Sequence, residues 1–146
     1  MRKLSTAGFT LPEMLLVVAI ITIITAIGAP LYLSLNNSNQ LDAATSLLAQ
    51  DLYQAQSFSR NRTQDSQWGV AVNGQNIVLF SGASYAARNA ANDVVYNVPS
   101  GIVLGGATQI VYSKLYGLPT TTGSFTLTGA GKTNTITVNN KGMLEY

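Results

Sequence analysis

The sequence predicts an α+β protein in which a long N-terminal helix precedes an antiparallel β-sheet head. The first observation is an apolar run from Met14 to Leu35 that contains no charged residue. The second is a set of apolar residues at helical spacing over about residues 40–62, and the third is a series of short strand-like segments from Gln67 onwards. Because helix and strands follow one another instead of alternating, the α+β class is favoured over a parallel α/β sheet. A chain of 146 residues is long enough for one domain.

The apolar run is long enough to cross a bilayer. As a helix it would rise about 33 Å, which matches a hydrocarbon core of about 30 Å. Thr22 and Thr25 can return their hydroxyls to carbonyls one turn back, so they interrupt the run little. Arg2 and Lys3 precede the run and predict a cytoplasmic N-terminus. We therefore expect residues 9–35 to form a transmembrane helix of a single-pass membrane protein.

Three interpretations of this segment remain open. An ordinary secretory signal peptide would be cleaved near Ala26-Ile27-Gly28, but the run is longer than a usual signal sequence and Pro30 follows closely. A plain membrane anchor explains the run but gives no reason for a proline and an acidic residue at its start. The third interpretation is a processed subunit, in which residues 8–13 form a signal of their own.

The residues Gly8-Phe9-Thr10-Leu11-Pro12-Glu13, after a short basic leader and before an apolar helix, resemble the class III signal of type IV pilins and type II secretion pseudopilins. The resemblance implies that a prepilin peptidase cuts between Gly8 and Phe9, removes residues 1–8 and methylates the new amine of Phe9. Pro12 departs from the aliphatic residue most common at this place. Proline is tolerated in the first turn of a helix, because the N–H that it lacks has no partner there.

The residues assigned to filament assembly are Glu13, Thr10 and Pro30. An ionised carboxylate inside a helical bundle costs several kcal/mol unless it is paired. By the resemblance, Glu13 pairs with the Phe9 amine of the preceding subunit and sets the axial register. The alternative role, which fits the unassembled chain, is that Glu13 lies at the positive end of the helix. Pro30 predicts either a kink or a local melting of the helix.

The resemblance implies a structural subunit of a type IV pilus-like extracellular filament, drawn from a membrane-held pool. The N-terminal helices would form the hydrophobic core of the filament at the cell surface, and the β heads would face solvent. The implied partners are other copies of the chain and other pilins, the prepilin peptidase, the inner-membrane assembly platform and, before assembly, the membrane. The alternative function is a minor tip pilin that acts as a membrane-anchored adhesin or DNA-binding module.

The helix is predicted to continue from the apolar run into the head. Spacings of three and four predict an apolar stripe formed by Leu41, Ala44, Leu48, Leu52, Ala55 and Phe58 or Ser59. The predicted polar side carries Asp42, Gln50, Asp51, Gln54 and Arg60. The four residues 36–39, three asparagines and a serine, predict a weak point in the helix. The resulting organisation is a leader over 1–8, a filament-core helix over 9–35, an amphipathic helix over 36–62 and a β-rich head over 63–146.

The head is predicted to contain seven or eight short strands. The candidate segments are Gln67–Val72, Asn76–Ser81, Val94–Val98, Ile102–Leu104, Ile110–Lys114, Phe125–Thr128, Thr135–Asn139 and Met143–Tyr146. Asn73-Gly74 between the first two segments is a strong hairpin signal. The small, polar stretch from Tyr85 to Asp93 predicts a mobile loop. The order of turns and strands also resembles the GspH/FimT-type minor pilins, through Tyr112, Gly117-Leu118-Pro119, Gly123–Thr128, Ile136–Val138 and Gly142.

Composition excludes several classes of function. The sequence contains no cysteine and no histidine, so it offers no disulfide framework, no usual zinc site and no ordinary nucleophile–base pair. We therefore predict no enzymatic activity, no cofactor and no metal. The net charge is +2, but removing Arg2 and Lys3 with the leader leaves six of eight basic residues against six acidic ones. Nucleic acid stays a possible but unsupported partner, because residues 143–146 lack the arginine-rich segment of DNA-binding relatives in that branch.

Overall fold

In the computed structural model the chain is described over residues 8–146, with side chains described for residues 8–25 and 36–146. Helix α1 spans Leu11–Arg60. The strands that follow it are β1 (Trp68–Asn73), β2 (Asn76–Ser81), β3 (Val94–Asn97), β4 (Ile102–Gly106), β5 (Gln109–Tyr112), β6 (Gly123–Gly129), β7 (Lys132–Val138) and β8 (Leu144–Glu145). Two short 3₁₀ turns lie at Thr63–Asp65 and Ala90–Asn92. The chain divides into two compact units between Asn36 and Asn37.

The α+β class is confirmed, and the strands form two antiparallel four-stranded sheets. The order of the first sheet is β3-β2-β1-β5, and that of the second is β4-β6-β7-β8. In the β1–β2 hairpin Asn73 pairs with Asn76, which leaves Gly74 in the two-residue turn. Gly74 has a φ of +59°, a conformation that favours glycine, so the predicted hairpin is confirmed.

The predicted apolar stripe of α1 is buried in the head. Its buried members are Leu41, Ala44, Leu48, Leu52, Ala55 and Ser59. The apolar members pack in one cluster with residues of both sheets, including Val70 of β1, Ile110 of β5, Phe125 of β6 and Ile136 of β7. Helical spacing aligns these positions on one face of α1. That face therefore closes the core shared by the two sheets.

The prediction that one long helix runs through residues 36–39 is confirmed, because α1 continues through these residues. The weak point at these residues stays a prediction. Asparagine and serine are only a few tenths of a kcal/mol less favourable than average residues inside a helix. A single turn of such residues lowers helix stability by a modest amount, which the helical turns on either side outweigh.

The segment Tyr85–Asp93, predicted as a mobile loop, is tied to the outer face of the first sheet. The Tyr85 ring packs edge-on against Phe80 at 5.7 Å between centroids. The Arg88 guanidinium lies 3.8 Å from the centroid of the same ring. Arg88 also donates to Asp93 at 2.7 Å, and this ion pair raises the pKa of Arg88. The first sheet is thus covered on both faces, by α1 on one and by this segment on the other.

No helix within the described residues is both long enough and apolar enough to span a membrane. The prediction of a transmembrane helix over residues 9–35, and with it of a single-pass membrane protein before assembly, is therefore wrong.

Asp51, predicted on the polar side of α1, is instead only 8% exposed. It lies three residues after Leu48 and four before Ala55, and both of these side chains are in the core. Positions three and four apart are neighbours on a helix surface, so Asp51 lies at the margin of the apolar stripe. Burial raises the pKa of Asp51 to about 6, because the charged carboxylate is less well hydrated there.

The Asp51→Asn substitution is expected to raise the free energy of unfolding at neutral pH but not at about pH 4. The pKa of Asp51 is 3.8 in a model peptide and about 6 in the fold, so between these values the folded state holds more protons than the unfolded state. The contribution of Asp51 to the free energy of unfolding therefore falls as the pH rises from 3.8 to about 6, and it stays low at higher pH. Asparagine has no such dependence. Urea unfolding of both proteins at the two pH values checks this, and a difference that is independent of pH would contradict it.

Candidate functional site

The candidate site is the start of α1, where the predicted processing and assembly residues lie together. Thr10 is the N-cap residue, since its carbonyl accepts the first helical hydrogen bond from the Met14 N–H at 3.2 Å. The Thr10 N–H and the Thr10 hydroxyl both donate to Glu13 Oε2, each at 3.2 Å. The bond from the Thr10 N–H is one of the two hydrogen bonds of a capping box, the one in which the acid at the third helical position accepts from the N-cap N–H.

The capping role of Glu13 was missed in the sequence, although a signal for it was present. A threonine followed three residues later by a glutamate, directly before an apolar run, is the sequence pattern of a capping box. Pro12 lies between them in the first turn, where its missing N–H leaves no broken helical hydrogen bond. Glu13 also places its carboxylate at the positive end of the helix dipole.

Glu13 has one carboxylate oxygen that the cap does not use. The two hydrogen bonds from Thr10 end on Oε2, and within residues 8–25 none is found to Oε1. The backbone nitrogen of Phe9 is one residue before the Thr10 N–H. An amine created at Phe9 would therefore lie within a few ångströms of the Glu13 carboxylate of its own chain. Phe9 is 80% exposed, and the space around Gly8 is open.

Apolar side chains cover all sides of α1 between residues 11 and 24. Ten large apolar side chains of this segment, and that of Phe9 before it, are 44–80% exposed. The ten are Leu11, Met14, Leu15, Leu16, Val17, Val18, Ile20, Ile21, Ile23 and Ile24. The polar groups in this part of the helix are satisfied internally. As predicted, Thr22 donates to the Val18 carbonyl at 2.7 Å and Thr25 to the Ile21 carbonyl at 2.9 Å. A helix that is apolar all round is usually buried among partners.

The remaining predicted residues are separate from this site or lie outside the described parts. Backbone at Pro30 is helical, but its side chain belongs to residues 26–35, which lie outside the described side chains. The choice between a kink and local melting at Pro30 therefore stays a prediction. Of the predicted leader, residues 1–7 lie outside the described residues, so processing after Gly8 stays a prediction as well.

The described start of α1 thus brings together Gly8, Phe9, Thr10 and Glu13, with an exposed apolar helix directly behind them. Chemically, the arrangement can hold a cation at Glu13 and can bury apolar surface against other helices. Comparison of the chain with protein-family models, with curated proteins and with solved structures finds no match among any of the three.

Proposed function

We propose that the chain is a structural subunit of a type IV pilus-like filament, a pilin or pseudopilin that polymerises through the first part of α1. The proposal includes the finer statement that α1 and the β head together form a pilin fold. The observation that carries it is the exposed apolar surface of residues 9–24, which begins at a capped helix terminus with a single carboxylate.

The apolar surface provides the driving force for association. Burial of a large apolar side chain contributes about 1.5–3 kcal/mol relative to leaving it in water. Ten such side chains lie on consecutive turns of α1 between residues 11 and 24. Side-by-side packing of this segment with copies of itself would remove these side chains from water. Contiguous apolar patches of this extent are typical of association surfaces.

In the proposed filament, the Glu13 carboxylate sets the axial register between neighbouring subunits. Inside a bundle of packed helices the carboxylate must be paired, because an unpaired buried charge is strongly unfavourable. Its Oε2 is held by Thr10, so the carboxylate is already oriented before a partner binds. An amine at Phe9 of a neighbouring subunit can donate to Oε1 without displacing the cap. One apolar surface with one fixed charge then allows a single axial offset between neighbours.

Aspartate introduced into the apolar part of α1 is expected to remove the chain from filaments. The test uses Val18→Asp with Val103→Asp as the matched control, since Val18 is 58% exposed and Val103 on β4 is 66% exposed. In the proposed contact, burial of the new charge costs several kcal/mol, so incorporation should fall more than about tenfold for Val18→Asp alone. The measurement is the amount of subunit in filaments sheared from cells that express each variant. Equal incorporation of both variants would contradict the assignment of assembly to α1.

A further inference from the structure

An open groove of about 650 Å³ lies on the head, between α1 and the second sheet. We call it the helix–sheet groove, and its lining is Asp42, Thr45, Ser46, Ala49, Gln50, Tyr53, Asn134 and Tyr146. The six helical positions follow spacings of three and four residues, which place them along one side of α1. Asn134 belongs to β7, so the groove joins two elements that are far apart in the sequence.

Hydrogen bonds of Asn134 join the sheet side of the helix–sheet groove to its helix side. Asn134 Nδ2 donates to Asp42 Oδ1 at 3.2 Å and to Thr45 Oγ1 at 3.1 Å. The Thr45 hydroxyl is buried and donates to the Leu41 carbonyl at 2.8 Å. A side-chain amide has two N–H donors, and both are used in this network. Asn134 Oδ1 and the second oxygen of Asp42 are left as oriented acceptors.

Two tyrosines form the wall of the helix–sheet groove. Tyr53 is 50% exposed, and Tyr146 is more exposed still. Both side chains line the groove, and slight desolvation together with the neighbouring Tyr53 phenol raises the pKa of Tyr146. Ala49, a small buried residue, also lines the groove. The groove thus offers two tyrosine side chains together with the acceptor oxygens of Asp42 and Asn134.

The charges of the lining side chains limit which classes of ligand the groove can bind. Among the eight lining residues Asp42 carries the one charged side chain, and no lysine or arginine is present. Phosphate, sulfate and carboxylate ligands are disfavoured, because they need a cation or a set of N–H donors. Thr45, Ser46, Gln50 and Asn134 provide neutral hydrogen-bonding groups. A ligand with many hydroxyl donors and flat C–H faces satisfies both the acceptors and the aromatic wall.

We propose that the helix–sheet groove binds a neutral saccharide. The hydroxyls of the sugar would donate to Asp42 and Asn134, and one face of its ring would lie against Tyr53 and Tyr146. The volume falls within the range of about 300–1,000 Å³ that is usual for small-ligand sites. This inference goes beyond filament assembly and does not depend on it, since it rests on residues of the head unit alone.

Saturation-transfer NMR with the full chain tests this inference. The probes are the methyl glycosides of glucose, galactose, mannose and N-acetylglucosamine, together with maltose, each at millimolar concentration. We expect transfer to at least one probe, and Tyr53→Ala and Asn134→Ala should each weaken its binding about tenfold or more. Tyr116→Ala is the matched control, because Tyr116 is an exposed tyrosine outside the groove. Fluorescence of Trp68, the single tryptophan, checks that each variant is folded.

Three outcomes would overturn the saccharide assignment. The first is the absence of transfer to all five probes. The second is binding that Tyr53→Ala and Asn134→Ala leave unchanged while both variants stay folded. The third is competition by inorganic phosphate or choline in preference to every sugar, which would assign the helix–sheet groove to an ionic ligand instead.

Discussion

Reversal of the charge at Glu13 is expected to abolish incorporation of the chain into filaments while the head stays folded. In the proposed contact the carboxylate pairs with the Phe9 amine of a neighbour, and a lysine would place two cations together. Breaking one partner of a buried ion pair costs about 3–5 kcal/mol, which exceeds a hundredfold change in an association constant. The measurement is the ratio of subunit in sheared filaments to subunit in whole cells for Glu13→Lys and for the unmodified chain.

One further variant separates the charge of Glu13 from its capping role, and a second serves as the control. Glutamine is also a capping-box residue, so Glu13→Gln keeps an acceptor for Thr10 but loses the charge. Loss of filaments in Glu13→Gln would assign the effect to the charge, whereas normal filaments would show that Glu13 acts as a cap only. Glu145→Lys is the matched control, because Glu145 is an exposed glutamate on β8. It should assemble normally.

Truncation of Leu48 is expected to cause a large loss of stability in the head. Leu48 is fully buried on the α1 face that closes the core between the two sheets. Leu→Ala changes at such positions lower the free energy of unfolding by about 2–5 kcal/mol, through lost burial and the cavity left behind. Since small domains are stable by about 5–15 kcal/mol, Leu48→Ala removes a large share.

The fluorescence of Trp68 measures the unfolding of the Leu48→Ala variant directly. Trp68 is the only tryptophan in the sequence, it is buried, and its indole N–H donates to the Thr63 carbonyl at 2.9 Å. Unfolding in urea should expose it and change its fluorescence. Leu118→Ala is the matched control at a partly exposed leucine, with an expected change below about 1 kcal/mol. Equal losses for the two variants would contradict the assignment of Leu48 to the core.

The elements of the head could be predicted from the sequence because their signals are local. Alternating apolar residues and turn residues located eight strands, and each of them is found within a few residues of its predicted position. The spacing of apolar residues from Leu41 to Ser59 likewise predicted the buried face of α1. Both signals depend on the fixed periods of strands and helices, which tertiary packing does not alter.

The division of the strands into two sheets could not be predicted in this way. β3 and β4 are consecutive in the chain, yet each is an edge strand of a different sheet. β4 pairs with β6 because of packing between residues distant in sequence, and local patterns contain no information about that choice. The burial of Asp51 and the cover formed by Tyr85 and Arg88 depend on the same long-range packing.

The candidate site at the start of α1 could be predicted from residues 8–13, because its members are adjacent in the chain. The sequence signal of the capping box, Thr10 and Glu13 three residues apart, was also present, although it was missed. The helix–sheet groove could not be predicted, since Asn134 meets Asp42 and Thr45 only after the head has folded. The prediction of a membrane-spanning helix from the apolar run is wrong, because no helix of the described residues is both long enough and apolar enough to span a membrane.

The measurement that tests the central claim most directly is the intact mass of this subunit recovered from filaments. A processed filament subunit should lack residues 1–8 and should begin at Phe9, with one methyl group on the new amine. The mass of the full chain in the same preparation is the reference. A filament subunit that retains Arg2 and Lys3 would contradict the proposal, because no amine would then exist at Phe9 to pair with Glu13.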